Sequence, residues 1–235
     1  MTTVVLFDID GTLLRAHGAG ARSIAQALRE VFGTSGPTDH RFDGKTDPQI
    51  VRELMTRAGI ADETIDAGMS AVLARYLELL ALELRDGAHV ELLPGVPALL
   101  DAVEADDVLV AGLLTGNVAD GAAMKLRAAG IDPSRFEIGA FGSDHHDRPA
   151  LPPVALERAR GRYGATFDGS RLVIVGDTPN DLTCGRSVGA RAIGVETGRY
   201  TAADLLPYEP VAVFADLTDT EAVVRALRGD AVLAA

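Results

Sequence analysis

The sequence predicts an α/β fold in which a doubly wound parallel sheet carries an inserted α-helical cap. Apolar runs at residues 4–7, 108–114 and 172–175 each stop abruptly at polar, loop-forming residues. Helical patterns separate these runs, and alternation of strand with helix is typical of a parallel sheet covered on both faces. The alternation breaks once, over residues 16–91, where helical patterns follow one another without a strand signal.

The apolar runs are short, rich in β-branched residues and apolar on both faces. These properties favour strands buried inside a parallel sheet. Residues 192–195 and 211–214 are predicted as further strands. The predicted helices of this part of the chain are 118–129, 153–163, 181–188 and 218–227.

The segment 16–91 is predicted to be a cap domain, inserted into an α/β core domain formed by residues 1–15 and 92–235. Its apolar residues recur at helical spacing. The three predicted helical faces are Ile24, Leu28 and Val31; Ile50, Leu54 and Met55; and Ile65, Met69, Val72, Tyr76, Leu80 and Leu84. Leu93-Pro94-Gly95-Val96 indicates a turn at which the chain re-enters the core before another helix.

Composition excludes several classes of protein. A formal net charge of −12 argues against binding to nucleic acid or an anionic membrane, for which basic patches are expected. The single cysteine, Cys184, excludes an intrachain disulfide and a multi-cysteine metal site. No apolar run approaches the roughly 20 residues of a membrane-spanning helix, and no leader precedes the first strand. We therefore expect a soluble, cytoplasmic protein.

Asp8-Ile9-Asp10-Gly11-Thr12 follows the first predicted strand. Two carboxylates at this spacing can divide their roles, one acting as a nucleophile beside a divalent cation and the other protonating the leaving oxygen. An ordinary Asp-Gly turn is the alternative interpretation of the dipeptide alone.

Two further polar groups follow predicted strands. Thr115-Gly116-Asn117 could hold phosphoryl oxygens at the start of a helix, and Asn117 is also expected to be the helix N-cap. Gly176-Asp177-Thr178-Pro179-Asn180-Asp181 supplies oxygen ligands that suit Mg²⁺, although Thr178 and Asp181 also form a capping-box pattern. Because ligands bind beyond the carboxyl ends of such strands, these residues are expected to converge.

Together these strings resemble the haloacid dehalogenase superfamily, in its phosphatase branch with a helical cap. Asp8 to Thr12 resembles motif I, Thr115 motif II and Gly176 to Asp181 motif IV, and the turn at Leu93 is similar to that of phosphoglycolate-phosphatase-like members. The resemblance covers nearly the whole chain. It implies a Rossmann-like core, Mg²⁺ as cofactor and a small phosphorylated metabolite as substrate.

The resemblance also implies roles for individual residues. Asp8 would be the nucleophile and a metal ligand, and Asp10 the general acid/base, ligating the metal through its backbone carbonyl. Thr115 would bond the transferring phosphoryl group, with Gly116 and Asn117 beside it in the substrate site. Asp177 would ligate Mg²⁺, and Asp181 would be a ligand or the partner of one.

The chain departs from the family at motif III, where a lysine is usual. Its only lysines are Lys45 and Lys125, and neither lies near the expected helix start. Arg148 occupies the expected region and is predicted to replace the lysine beside Asp8 and the phosphoryl oxygens. A solvated loop arginine is the alternative.

Lys45 lies in a loop that resembles the substrate-specificity loop of the cap, where it would bind an anionic part of the substrate. A solvated lysine is the alternative interpretation. His145-His146-Asp147 is not expected to bind a metal, because adjacent residues rarely converge on one ion. Cys184 is expected to be packed and inert.

Other functions on the same fold stay open. A haloacid dehalogenase typically lacks the second aspartate of motif I, so Asp10 argues against it. A phosphonatase would use a cap lysine such as Lys45 as a Schiff base. A phosphomutase would need the cap to retain a phosphorylated intermediate, and a non-catalytic binding domain would usually have lost one of the site aspartates.

Overall fold

The structure is a computed structural model that describes residues 1–85 and 90–230. Residues 86–89, within the predicted cap segment, and residues 231–235, at the end of the predicted core, lie outside the described residues. In the described part of the chain, no helix is both long and apolar enough to cross a lipid bilayer.

A six-stranded parallel sheet forms the centre of the molecule, and a two-stranded antiparallel ladder lies beside it. The strands are β1 (Thr3–Phe7), β2 (Leu14–Arg15), β3 (Glu91–Leu92), β4 (Leu109–Thr115), β5 (Ile138–Phe141), β6 (Leu172–Gly176), β7 (Arg191–Val195) and β8 (Ala212–Phe214). The order in the large sheet is β5-β4-β1-β6-β7-β8, and all neighbouring pairs are parallel. The predicted α/β fold class is confirmed.

Helices cover both faces of this sheet and also form a separate group between β2 and β3. They are α1 (Ala19–Phe32), α2 (Asp47–Arg57), α3 (Asp62–Glu83), α4 (Val96–Glu104), α5 (Ala119–Ala128), α6 (Leu151–Tyr163), α7 (Pro179–Cys184), α8 (Ala202–Leu205) and α9 (Thr220–Arg228). Successive side chains of β1 point to opposite faces of the sheet. Val5 and Phe7 belong to a core that includes α4 and α9, whereas Val4 and Leu6 pack into a core that includes α6.

The segment between β2 and β3 contains the three helices that its apolar spacing predicts. Helices α1 and α2 both contact α3. Of the predicted faces, Ile24, Leu28, Met55, Tyr76 and Leu80 are among the fully buried side chains. Burial of these faces against one another explains why the segment needs no sheet of its own.

Several short elements depart from the sequence prediction, among them the two-residue strand β2, which was not predicted. Strand β5 was not predicted, because it has four residues, includes a glycine, and alternates between buried and partly buried positions at the edge of the sheet. Helix α8 was also missed, since four residues leave no periodic signal. The expectation of no strand in residues 16–91 is wrong at Glu91, the first residue of the two-residue strand β3. The predicted helix 181–188 ends as an α-helix at Cys184 and continues to Val188 as a 3₁₀ turn.

Strands β2 and β3 are the two points at which the chain crosses between the helical segment and the sheet. They pair antiparallel, with Leu14 opposite Leu92, and the Leu93 N–H donates to the Leu13 carbonyl at 3.0 Å. The outgoing and returning chains therefore lie side by side. This arrangement is compatible with a division into core and cap, which we retain as a proposal.

Candidate active site

The parallel strands bring four chain segments to one edge of the sheet. Asp8 follows β1, Thr115 ends β4, Asp177 follows β6, and a loop that contains Gly198 follows β7. All four line one cavity of about 440 Å³, whose opposite wall comes from the helical segment. The convergence expected from the strand ends is therefore present.

Asp8 and Asp10 lie on a tight turn at the end of β1. The Asp8 N–H continues the sheet by donating to the Val175 carbonyl at 2.9 Å, and the Gly11 N–H then donates to Leu14 at 2.9 Å. Gly11 has φ of +91°, and a Cβ there would lie 2.5 Å from Oδ2 of Asp177. Glycine is thus required both by the turn and by the close approach of the Asp177 carboxylate.

Asp177 and Asp181 lie at the start of α7, next to Asp8. One ligand oxygen from each of these three aspartates lies within 4.8 Å of the others, and all three residues are buried. The Asp181 Oδ2 accepts from the Thr178 N–H at 3.0 Å and from its hydroxyl at 2.7 Å, while Thr178 caps the helix. The predicted capping box is therefore present, and the same turn also places the carboxylates of Asp177 and Asp181 close to Asp8.

Arg148 lies beside Asp8, as predicted, and is 3% exposed. It begins a 3₁₀ turn that leads into α6. Its Nη2 donates to Asp8 Oδ1 at 3.0 Å and forms an ion pair with Asp181 Oδ1. The alternative of a solvated loop arginine is wrong. Because Arg148 and Thr178 engage both oxygens of Asp181, that carboxylate is placed chiefly to hold the guanidinium.

The carboxylates outnumber the positive charge available to them. Burial raises the pKa of Asp8 to about 7, with contributions from Asp181 and Asp10 that Arg148 partly offsets. Burial, Asp181 and Asp8 raise the pKa of Asp177 well above its usual range. Compact, buried carboxylate oxygens are the donors that Mg²⁺ prefers, and a divalent ion would relieve their repulsion. The donor set therefore fits Mg²⁺.

Thr115, Gly116 and Asn117 form the second wall of the site. The Asn117 side-chain amide donates to Thr115 Oγ1 and to Asp10 Oδ2, each at 2.8 Å. Helix α5 has Val118 as its N-cap residue, with no side-chain cap of its own. The prediction that Asn117 caps this helix is therefore wrong, because its side chain bonds Asp10 instead.

Lys125 belongs to the same network, although the sequence analysis did not select it. Its ammonium donates to Asp10 Oδ2 at 2.6 Å and to Asn117 Oδ1 at 2.7 Å, and the residue is 5% exposed. Helical spacing in the sequence could have indicated that Lys125 is buried. Lys125 lies four residues after Gly121 and three after Ala122, so it shares the buried face of α5.

The loop that carries Lys45 contacts the Thr115 wall through its backbone. The Asp47 N–H donates to the Gly116 carbonyl at 2.8 Å, and Asp47 Oδ2 accepts from the Val118 N–H at 2.9 Å. Lys45 lines the cavity, but its ammonium is paired with Glu53 Oε2 at 2.5 Å. A substrate anion at Lys45 would therefore compete with Glu53.

The loop after β7 was also missed from the sequence. Thr197 Oγ1 donates to the Gly11 carbonyl at 2.6 Å, and Arg15 donates to the Thr197 carbonyl at 2.8 Å. Gly198 lies directly against Asp177, where a Cβ would be 1.7 Å from Oδ2. A Thr-Gly-Arg string carries no chemistry of its own, so only the fold reveals its position.

Cys184 is packed, as expected, and the histidine pair lies outside the aspartate cluster. Within residues 1–85 and 90–230, the three site aspartates are the only group of His, Cys, Asp and Glu ligand atoms within metal-binding reach. His145 and His146 stack on each other instead, with ring centroids 4.6 Å apart. Cys184 is buried, and burial raises the pKa of its thiol to about 12.

Comparisons with known proteins indicate one family. The family model described as haloacid dehalogenase-like hydrolase matches residues 5–186. The protein named probable phosphatase IndB, from Dickeya dadantii, is 27% identical over 227 residues, which are 97% of this chain and 95% of that protein.

Two solved structures share the fold over nearly their whole length. A hydrolase from Pseudomonas syringae superimposes with a TM-score of 0.72 at 20% identity, covering 97% of this chain and 99% of that one. A predicted phosphoglycolate phosphatase from Haemophilus somnus gives a TM-score of 0.68 at 21% identity, covering 95% and 98%. With the family model matching most of the chain and the aspartates gathered at the strand ends, this chain belongs to the haloacid dehalogenase-like hydrolase family.

Proposed function

We propose that this hydrolase is a Mg²⁺-dependent phosphatase that cleaves the phosphate monoester of a small metabolite through an aspartyl-phosphate on Asp8. The observation that carries the proposal is the position of Asp8. Its carboxylate lies at the end of β1, between the Arg148 guanidinium and Asp177, and lines the cavity. The name of the relative IndB, a probable phosphatase, supports the same reaction class.

Asp8 and Asp177 would hold the metal with the backbone carbonyl of Asp10, and Asp181 would hold Arg148 against Asp8. When bound, Mg²⁺ supplies positive charge that offsets repulsion between the Asp8 carboxylate and the anionic phosphate. Arg148 adds a permanent charge to the same face of Asp8. Asp8 can then approach the phosphorus as an ionised nucleophile despite its burial.

The reaction takes two steps. An oxygen of Asp8 bonds to phosphorus as the ester P–O bond breaks, and Asp10 gives its proton to the leaving alkoxide oxygen. Water then attacks the phosphorus, the bond to Asp8 breaks, and Asp10 receives the water proton. The products are an alcohol and orthophosphate, and both carboxylates return to their starting states. Thr115 and the N–H groups beside it bind the phosphoryl oxygens during both transfers.

The helical segment 16–91 would act as the cap that selects the leaving group. A cavity of about 440 Å³ suits a small metabolite rather than a polymer. The pairing of Lys45 with Glu53 argues against the phosphonatase alternative, because the amine would have to leave Glu53 before it could attack a carbonyl carbon.

The experiment compares the purified wild-type chain with Asp8→Asn, using p-nitrophenyl phosphate with Mg²⁺ and after chelation. We expect Mg²⁺-dependent turnover in the wild type and a loss of at least about 10³-fold in Asp8→Asn, because no nucleophile remains. Rapid-quench mass spectrometry should find one phosphoryl group on Asp8 in the wild type alone.

The matched control is Asp107→Asn, which changes an exposed aspartate just before β4, at the opposite edge of the sheet. It should retain wild-type turnover. Circular dichroism checks that Asp8→Asn is folded. Undiminished activity in a folded Asp8→Asn protein would refute the mechanism.

A further inference from the structure

We propose that Lys125 is a positioning residue that holds the Asp10 carboxylate with one oxygen fixed and the other turned toward the cavity. The proposal rests on the function proposed above, in which Asp10 transfers the proton. It adds to that site a residue that belongs to none of the sequence strings identified in motifs I, II and IV.

The first support is the geometry of the hydrogen bonds. The Lys125 ammonium and the Asn117 amide both donate to Oδ2 of Asp10, at 2.6 and 2.8 Å, and neither donates to Oδ1. Asn117 is itself fixed by Lys125 and by Thr115 Oγ1. Two donors on Oδ2 restrict the rotation of the carboxylate, so the orientation of Oδ1 depends on Lys125 and Asn117 together.

The second support is the difference in burial between the two partners. The Lys125 side chain is 6% exposed, whereas that of Asp10 is 43% exposed. The lysine therefore forms the fixed base of the pair, and the carboxylate projects from it into the cavity that both residues line. A proton donor needs such access to the leaving oxygen.

The third support is that packing gives no reason for a lysine at this position. Burying an ammonium is unfavourable, and well-packed apolar replacements of buried ion pairs are often neutral or stabilising. The other buried residues of α5 are Gly121, Ala122 and Leu126, none of which is charged. The charge is therefore explained by two carboxylates: Asp10, to which the ammonium donates, and the buried Asp47, whose pKa it lowers.

A positioning role predicts an effect that depends on the leaving group. A good leaving group such as 2,4-dinitrophenolate departs without a proton, whereas an alkoxide needs one. Loss of Lys125 should misplace Asp10 and therefore impair alkyl phosphates selectively. A purely structural defect would slow phosphoryl transfer from all esters alike. The second step, in which Asp10 receives the water proton, is common to all esters, so the first step has to be measured by itself.

The test measures the single-turnover rate constant for release of the leaving group, with enzyme in excess, for wild type and Lys125→Met. The substrates are 2,4-dinitrophenyl phosphate, phenyl phosphate and a simple alkyl phosphate. We expect less than about a 3-fold loss of this rate constant for the dinitrophenyl ester and about a 10²-fold loss for the alkyl ester, the scale of general acid catalysis. Arg127→Met removes a charge from the exposed face of the same helix and should leave all three substrates unaffected.

A double-mutant cycle with Asp10→Asn locates the effect. If Lys125 acts through Asp10, Lys125→Met should cause no further loss in the Asp10→Asn background. Should Lys125→Met fail to fold, Lys125→Gln keeps a donor without the charge, and its cycle with Asp10→Asn replaces the first one. An equal loss for all leaving groups, an unchanged alkyl rate, or additive losses would each overturn the proposal.

Failure of the proposed function looks different. In that case the wild type would turn over none of the three esters in the presence of Mg²⁺, and the positioning role would be overturned with it. Failure of the Lys125 proposal alone leaves wild-type turnover and the Asp8→Asn loss intact.

Discussion

At the scale of single residues, Gly198 determines how close the loop after β7 comes to the carboxylate cluster. A Cβ on this residue would lie 1.7 Å from Oδ2 of Asp177. No real contact is that short, so a side chain would displace either the loop or the carboxylate. The glycine therefore fixes the position of a predicted metal ligand that lies 21 residues earlier in the sequence.

We predict that Gly198→Ala weakens Mg²⁺ activation and lowers kcat/KM by at least about 10-fold, since displacement of a positioned group by about 1 Å can cost 10²-fold in rate. Titration of activity with Mg²⁺ measures both effects. Gly161→Ala is the matched control, because a Cβ there meets nothing within 4 Å. Wild-type Mg²⁺ dependence in Gly198→Ala would show that the loop yields without disturbing Asp177.

Individual site residues differed in how far the sequence could predict them. Asp8, Asp177 and Thr115 could be placed because each follows a recognisable buried strand. Arg148 could be placed by its position relative to a predicted helix. Lys125 could be placed on the buried face of a helix but not in the site, since its partners Asp10 and Asn117 lie 115 and 8 residues away along the chain.

At the scale of elements, the junction between α2 and the start of α5 links the helical segment to the site. Asp47 accepts from the first turn of α5 and is itself buried. Burial raises its pKa to about 6, with a further rise from Asp10, against the opposing effects of Lys125 and the Val118 N–H. The folded state thus keeps a proton on Asp47 that the unfolded chain releases near pH 3.8.

This shift predicts a pH-dependent stability difference. Between about pH 4 and pH 6 the folded state binds the extra proton, so stability falls as the pH rises through this window. Asp47→Asn removes the titration and keeps an acceptor for Val118. As the pH rises from about 4 to about 6, the wild type should lose stability and Asp47→Asn should not. The free energy of unfolding of the variant should therefore increase relative to that of the wild type by on the order of 3 kcal/mol.

Urea unfolding from pH 4 to pH 8 measures this difference. Asp62→Asn changes an exposed carboxylate at the start of α3 and should show little pH-dependent difference from wild type. A pH-independent offset for Asp47→Asn would mean that Asp47 is ionised in the folded protein throughout the range.

Elements were predictable when they were long or buried on both faces. The helical faces of α1 to α3 and the central strands β1, β4 and β6 carried such patterns. Strand β5 at the edge of the sheet and the two-residue strands β2 and β3 did not, because their pairing depends on distant partners. Strands β2 and β3 pair because the chain leaves the sheet and returns to it at neighbouring positions.

At the scale of the whole molecule, an acidic chain with a net charge of −12 buries three aspartates close together. A divalent cation that binds the folded state alone should therefore stabilise the protein. We predict that Mg²⁺ at about 100 times its dissociation constant stabilises the fold by about 2.7 kcal/mol, which corresponds to a rise in Tm of roughly 5–10 °C.

Thermal melts with Mg²⁺ and with chelator measure this stabilisation. Asp177→Asn should lose most of the Mg²⁺ effect, whereas Asp107→Asn should keep it. An equal rise in Tm for Asp177→Asn would place the stabilising ion elsewhere on the acidic surface.

The pairing of Leu14 with Leu92 also has an evolutionary consequence. A replacement for the intervening helices has to bridge only the spacing of two adjacent strands, about 4.8 Å, and a turn of two to five residues would close the gap without any insert. Under the proposed function, replacement of these helices would therefore change the substrate while the site residues at the strand ends stay in place.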